Sequence, residues 1–202
     1  MPTVTPVIPE TITVHLGAPG ESARNVTLPF WSYIANVASS EIYPSWPENA
    51  LRANIYAQIS FALNRVYTEY YRSRGYDFDI TNSTAYDQYF VEGRDIFSNV
   101  NEIVGEIFNS YVVRQGSVEP LFTQYCNGTT VTCPGLSQWG TVALAERGLT
   151  PYEILQYYYG NDIDIVTNVP VENVRASAPV IPLRLGSGGN DVRNVQIRLN
   201  RI

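Results

Sequence analysis

ASSEIYPSWPENALRANIYAQISFAL, residues 38–63, decides how the rest of the chain is read. Glu41 is followed by Pro44 and then by Pro47, which sits in the first turn of a helix, where a missing N–H costs little. Ser45 and Glu48 have the spacing of a capping box at that start. Leu51, Ile55, Ala62 and Val66 continue an apolar stripe towards Tyr70, and Gly75 is the expected stop. A long core helix is therefore expected from about Pro47.

Upstream, Thr11 to Leu16 alternates. Ile12, Val14 and Leu16 fall on one side and Thr11, Thr13 and His15 on the other, as in a half-buried strand. Asn25 to Leu28 reads as a second strand after the Gly17–Gly20 turn. Phe30 to Ser39 reads as a helix with Phe30, Ile34 and Val37 on one stripe. Downstream, Asn101 to Ser110 is a shorter helix. Tyr111–Arg114 and Ser117–Phe122 flank Gln115-Gly116 and read as a hairpin. Ser137 caps a helix ending at Gly148, and Thr150-Pro151-Tyr152-Glu153 repeats the capping-box signal before a last helix through Tyr158. A long helix with small antiparallel strands gives an α+β fold.

The chain has 202 residues, 45% of them hydrophobic, enough for one ordinary domain and an appendage. Lysine is absent, so all 13 basic residues are arginine, and tyrosine reaches 15. The formal charge of −6 and the lack of an arginine run argue against a nucleic-acid binder, which needs clustered cations to displace counterions. No apolar stretch approaches the roughly 20 residues of a membrane span. Met1 to Glu10 is polar and Pro-rich and does not read as a signal peptide. Cys126 and Cys133 bracket a Gly/Thr-rich stretch and are expected to pair in an oxidising compartment; the alternative is two reduced thiols. One His and two Cys fall short of a closed zinc site, so no metal and no cofactor is expected. His15 is expected at the surface.

The stretch 38–63 resembles the SpoIID/LytB domain, the module of stage II sporulation protein D. There a Glu and, a few residues on, a Pro precede a helix of the type LKAQAVAARTYAL; here they are Glu41, Pro44 and Leu51 to Leu63. Gly135-Leu136-Ser137-Gln138-Trp139-Gly140, followed by Ala145, Gly148, Tyr152, Ile154-Leu155 and Tyr157-Tyr158-Tyr159, is similar to the family's GMSQYGA…G…Y.EIL..YY signature. Asp87-Gln88-Tyr89, Gly93 and Asn127-Gly128-Thr129 match more weakly between them. Leu183 to Leu199, LRLGSGGNDVRNVQIRL, looks like the opening of a three-helix peptidoglycan-binding repeat. The expected division is a SpoIID-like domain over 1–167, a linker over 168–182 and the start of a truncated repeat, one helix of it, over 183–202.

The resemblance implies a lytic transglycosylase acting on peptidoglycan glycan strands outside the cytoplasm, in the cell wall or spore envelope. It makes Glu41 the acid. Ser137, Gln138, Trp139, Arg52, Tyr56, Gln88 and Tyr89 are the candidate substrate-binding residues, with Tyr86 and Tyr152 as further rings that could stack on sugars. The chain departs from the family at four places, one of them a segment between Cys126 and Cys133 that is far shorter than usual. Ile59 stands where the family has Arg, Asn54-Ile55 where it has Gln-Ala, and Thr132-Cys133-Pro134 where a His is usual. Each change removes a polar group from the site, so the alternative is a non-catalytic peptidoglycan-binding or spore-layer structural protein on the same fold. The Tyr-rich, Lys-free composition adds a third reading, self-assembly or association with other wall or spore-layer proteins.

Overall fold

The structure, a computed structural model, describes residues 6–172. It is α+β. Strand β1 (Thr11–His15) pairs antiparallel with β2 (Asn25–Pro29), and helix α1 (Phe30–Glu41) follows directly. Helix α2 (Glu48–Tyr67) runs through the middle, and β3 (Ile80–Thr81) returns to the other edge of β1. Then come α3 (Ser98–Ile107), β4 (Tyr111–Arg114), the short β5 (Tyr125–Cys126) and β6 (Leu136–Ser137), α4 (Gln138–Glu146), α5 (Pro151–Tyr159) and β7 (Ile163–Val166). The expected strands are small, but not all antiparallel. β1 pairs with β3, and β5 with β6, in parallel.

Helix α2 is buried almost all round from Ala50 to Arg65, with α1, α3, α4, α5 and β4 packed about it. A helix so enclosed is usually apolar on every side. Here Asn54, Gln58, Ser60 and Asn64 are buried as well. Each bonds to a neighbour: Asn54 Nδ2 to Thr141 Oγ1, Gln58 Nε2 to Glu41, Ser60 Oγ from the Val112 N–H, and Asn64 Nδ2 to the Pro120 carbonyl. Buried polar groups are tolerable only when paired in this way. Ala53 and Ala57 let Leu136, Leu144, Ile154 and Leu155 close against the helix.

Several local expectations change. Pro47 is the N-cap of α2 with no side-chain cap, because Glu48 instead accepts from Arg52 Nε at 2.7 Å one turn on. The helix stops at Tyr67, not near Gly75, which closes a short 3-10 turn over Arg72–Arg74 at φ 88°. The hairpin after α3 does not form. β4 pairs with β7, and Ser117–Phe122 contributes a single ladder-like bond, Leu121 N–H to the Val112 carbonyl. Pro120 has no N–H to offer a ladder. His15 is buried, not at the surface. Its ring bonds to Asn25 Oδ1 and the Glu21 carbonyl and stacks on Phe78, which absorbs its polarity.

The Ser137 cap and the Thr150–Glu153 capping box are present as read, and Cys126 and Cys133 form a disulfide. Residues 168–172, the first part of the expected linker, pack on the domain. Val169 and Ile8 are buried, and the Ile8 and Glu172 N–H groups bond to Pro170 and Ile8 carbonyls. The rest of the linker and the Leu183–Leu199 stretch lie outside the described residues.

Candidate functional site

Glu41 is the last residue of α1, and its partly buried carboxyl turns inward against α2. One oxygen accepts from Gln58 Nε2 at 2.8 Å and the other from the Tyr89 backbone N–H at 2.8 Å. The Tyr125 hydroxyl is a third partner. None of the three is charged. Burial pushes the carboxyl's proton affinity above the ordinary glutamate value, and the three neutral donors only partly offset that. A raised proton affinity is the direction that suits protonating a leaving oxygen.

Two layers hold these donors in place. Gln88 is fully buried. Its Oε1 accepts from the Tyr33 hydroxyl at 3.0 Å, and its Nε2 donates to the Gln58 carbonyl and to the Tyr125 hydroxyl, both at 3.0 Å. Next to it, Asp87 accepts from Arg65 Nε at 2.8 Å, the Tyr71 hydroxyl at 2.6 Å, and both the N–H and hydroxyl of Thr81. Arg65 lies over the ring faces of Tyr70, Phe61 and Phe122. Beyond Tyr89, Asn36 brackets Val91, and the Ser39 carbonyl accepts from Arg94. The irregular run from Asp87 to Arg94 is thus sewn to α1 and α2, which aims the Tyr89 N–H at Glu41.

The second family-like block arrives from the other side. Asn49 Nδ2 bonds to the Leu149 carbonyl and Asn54 Nδ2 to Thr141 Oγ1, so α2 and α4 run antiparallel. That register carries Gln138, one turn back from Thr141, towards Gln58, one turn on from Asn54. Gln58 Oε1 and Gln138 Nε2 are both buried and have no partner. Trp139 follows Gln138 and is 43% exposed, with its ring 4.9 Å from that of Trp46 and 5.7 Å from that of Tyr43. Tyr43, two residues past Glu41, is itself 57% exposed. Exposed rings therefore stand near a partly buried carboxyl.

The candidates separate. Glu41, Gln88 and Tyr89 come together through Gln58 and Tyr125, while Trp139 stands beside Tyr43 and Trp46. Gln88 reaches no solvent and acts by holding its neighbours, so it cannot touch a glycan as expected. Ser137 caps α4, its Oγ accepting from the Gly140 N–H at 3.0 Å with Gly128 packed against it. Arg52 and Tyr56 project from another side of α2. Arg52 pairs there with Glu48 and Glu106, a geometry that spends its charge away from Glu41. Tyr152 donates to the Ile163 carbonyl and is structural, while Tyr86 is exposed on the loop before Asp87. Among the described residues no His, Cys, Asp and Glu cluster could hold a metal ion, and no helix is long and apolar enough to cross a membrane.

Gln58 and Tyr125 were not foreseen. Gln58 carried one signal, a polar residue four positions after Asn54 on an apolar helix; Tyr125, beside a cysteine, carried none. Residues 20–107 match the family model for SpoIID, described as Stage II sporulation protein. The matched stretch runs from the end of the first turn through α3, and so contains Glu41, Gln58, Gln88 and Tyr89. No curated protein shows a match to the chain.

Proposed function

We propose that this chain cleaves peptidoglycan glycan strands as a lytic transglycosylase, with Glu41 as the single acid and base. The SpoIID match points to a sporulation-related role at the cell wall, and this reading places the chain in wall or spore-cortex remodelling outside the cytoplasm. The observation that carries it is the Glu41 carboxyl, partly buried among neutral donors, with its proton affinity raised, near exposed aromatic rings.

The chemistry needs one carboxyl. Glu41 gives its proton to the glycosidic oxygen as the bond from C1 to that oxygen breaks. The C6 hydroxyl of the same sugar then attacks C1 and loses its proton to the Glu41 carboxylate. The products are a shortened strand and a 1,6-anhydro end, with no water consumed and the acid restored. Glycosidases that use water or a covalent intermediate need a second carboxylate across the sugar. The buried carboxylate of Asp87 is held by Arg65, Tyr71 and Thr81. Trp139, Tyr43 and Tyr89 are placed to meet sugar faces at the rim, a role rings fill with little entropy cost.

Glycan strands freed of stem peptides should yield anhydro-ended fragments with the full chain, and Glu41→Gln should slow their release by about 10²–10⁴-fold. Equal, blank chromatograms for both proteins would sink the enzymatic reading. A second reading, a non-catalytic wall-binding protein on this fold, is favoured by one observation. Ile59, at the family's Arg position, is fully buried, and Glu41 has no cation among its partners. Sedimentation with insoluble wall without cleavage would support that reading.

A further inference from the structure

Of the three groups that hold Glu41, only one can change the sense of its hydrogen bond. The Tyr89 N–H can only donate. The Tyr125 hydroxyl could in principle do either, but it already accepts from Gln88 Nε2. That amide is itself fixed, because its Oε1 accepts from Tyr33 and its Nε2 also donates to the Gln58 carbonyl. The Tyr125 hydrogen is thereby directed at Glu41. As they are placed, both donate, which suits a carboxylate better than a carboxylic acid.

Gln58 is different. Its side chain is fully buried, Nε2 donates to Glu41, and Oε1 has no partner at all. A buried unpaired carbonyl is costly and needs a reason. Turning the amide over exchanges nitrogen and oxygen in the same volume, so packing is unchanged. The turn presents Oε1 to Glu41 in place of Nε2.

We propose that Gln58 is a positioning residue that serves Glu41 in both protonation states, Nε2 donating to the carboxylate and, after the amide turns over, Oε1 accepting from the acid. The acid is then held by a partner at rest, and the carboxylate left after proton transfer gains a donor without any backbone movement. The other titratable groups facing the carboxyl are Tyr125 and Tyr33, both kept neutral by burial, with Asp87 beyond Tyr33 and paired to Arg65. From α2 the side chain bonded to the carboxyl is Gln58. The inference rests on Glu41 being the site's acid. Its test involves no glycan, so it can fail while the transglycosylase reading stands, or the reverse.

The test is a titration of the full chain followed by carbon NMR of the Glu and Gln side-chain carbonyls, with Glu41 assigned by Glu41→Gln. In the wild type the Gln58 Cδ resonance should move downfield on acidification with the Glu41 midpoint, as its oxygen gains a donor. In Gln58→Met the Glu41 midpoint should stay within about half a pH unit, because both protonation states lose a partner. A fixed donor would favour the carboxylate alone, and its loss would raise the midpoint by about one unit or more, a tenfold change in proton affinity. Such a rise overturns the proposal. If Gln58→Met does not fold, a Gln58 Cδ resonance that stays put through the Glu41 titration overturns it equally.

Discussion

Glu41 ends a helix and yet turns its partly buried carboxyl against α2, and its stability consequence depends on pH. Burial raises the proton affinity of its carboxyl in the folded chain above the ordinary value of 4.5. Below 4.5 folded and unfolded chains both hold the proton, and the carboxyl carries no charge to bury. Between 4.5 and the raised folded value, the folded chain binds a proton that the unfolded chain has released, so stability falls as pH rises. Above that window the cost is complete. Glu41→Gln removes the titration. Urea unfolding of wild type and variant at several pH values should show the variant's relative stability increasing with pH above 4.5. A constant difference would contradict a buried, proton-retaining carboxyl.

At the scale of elements, the run from Asp87 to Arg94 has almost no secondary structure of its own and is held by side chains. Asp87 is its anchor. Its side chain is fully buried and that of Arg65 nearly so. Removing Asp87 strands four donors, one of them charged. Asp87→Ala should therefore cost about 3–5 kcal/mol, the usual price of breaking a buried pair. Arg65→Met should cost less, since Asp87 keeps Tyr71 and Thr81 and the methionine can occupy the aromatic bed. Chemical denaturation of the two variants compares them directly. The same change should also loosen the Tyr89 N–H from Glu41, so any activity should fall more in Asp87→Ala than global stability alone requires.

The whole molecule is closed by its two described ends. Ile8 forms a parallel bridge with Val171, and Val169 packs into the core cluster that also holds Ile8. The boundary expected at 167 would cut this closure. A chain ending at 167 should be less stable than one ending at Glu172 by about 2–4 kcal/mol, from two valines and the associated backbone hydrogen bonds. Thermal melts of the two truncations test this, and equal midpoints would place the true edge of the domain at 167.

The elements themselves were legible in the sequence, because helix periodicity, strand alternation and caps are local. The stripe from Leu51 to Val66, the alternation of Ile12 and Val14, and the Ser137 and Thr150 caps all act within a few residues. The stretch around Glu41 was equally legible, and it falls within the residues that match the SpoIID model. What surrounds Glu41 was not. Its donors come from residues 17, 48 and 84 positions away, and one of them is a backbone N–H that no sequence pattern marks. The same holds for β4, which chose β7 over its neighbour, and for His15, whose burial depends on Asn25 and Phe78. The sequence by itself determined most of the helices and the Ser137 and Thr150 caps, and it singled out Glu41. Only the tertiary structure decided which neutral groups close around that carboxyl, because hydrogen-bond partners and burial arise between segments brought together by packing.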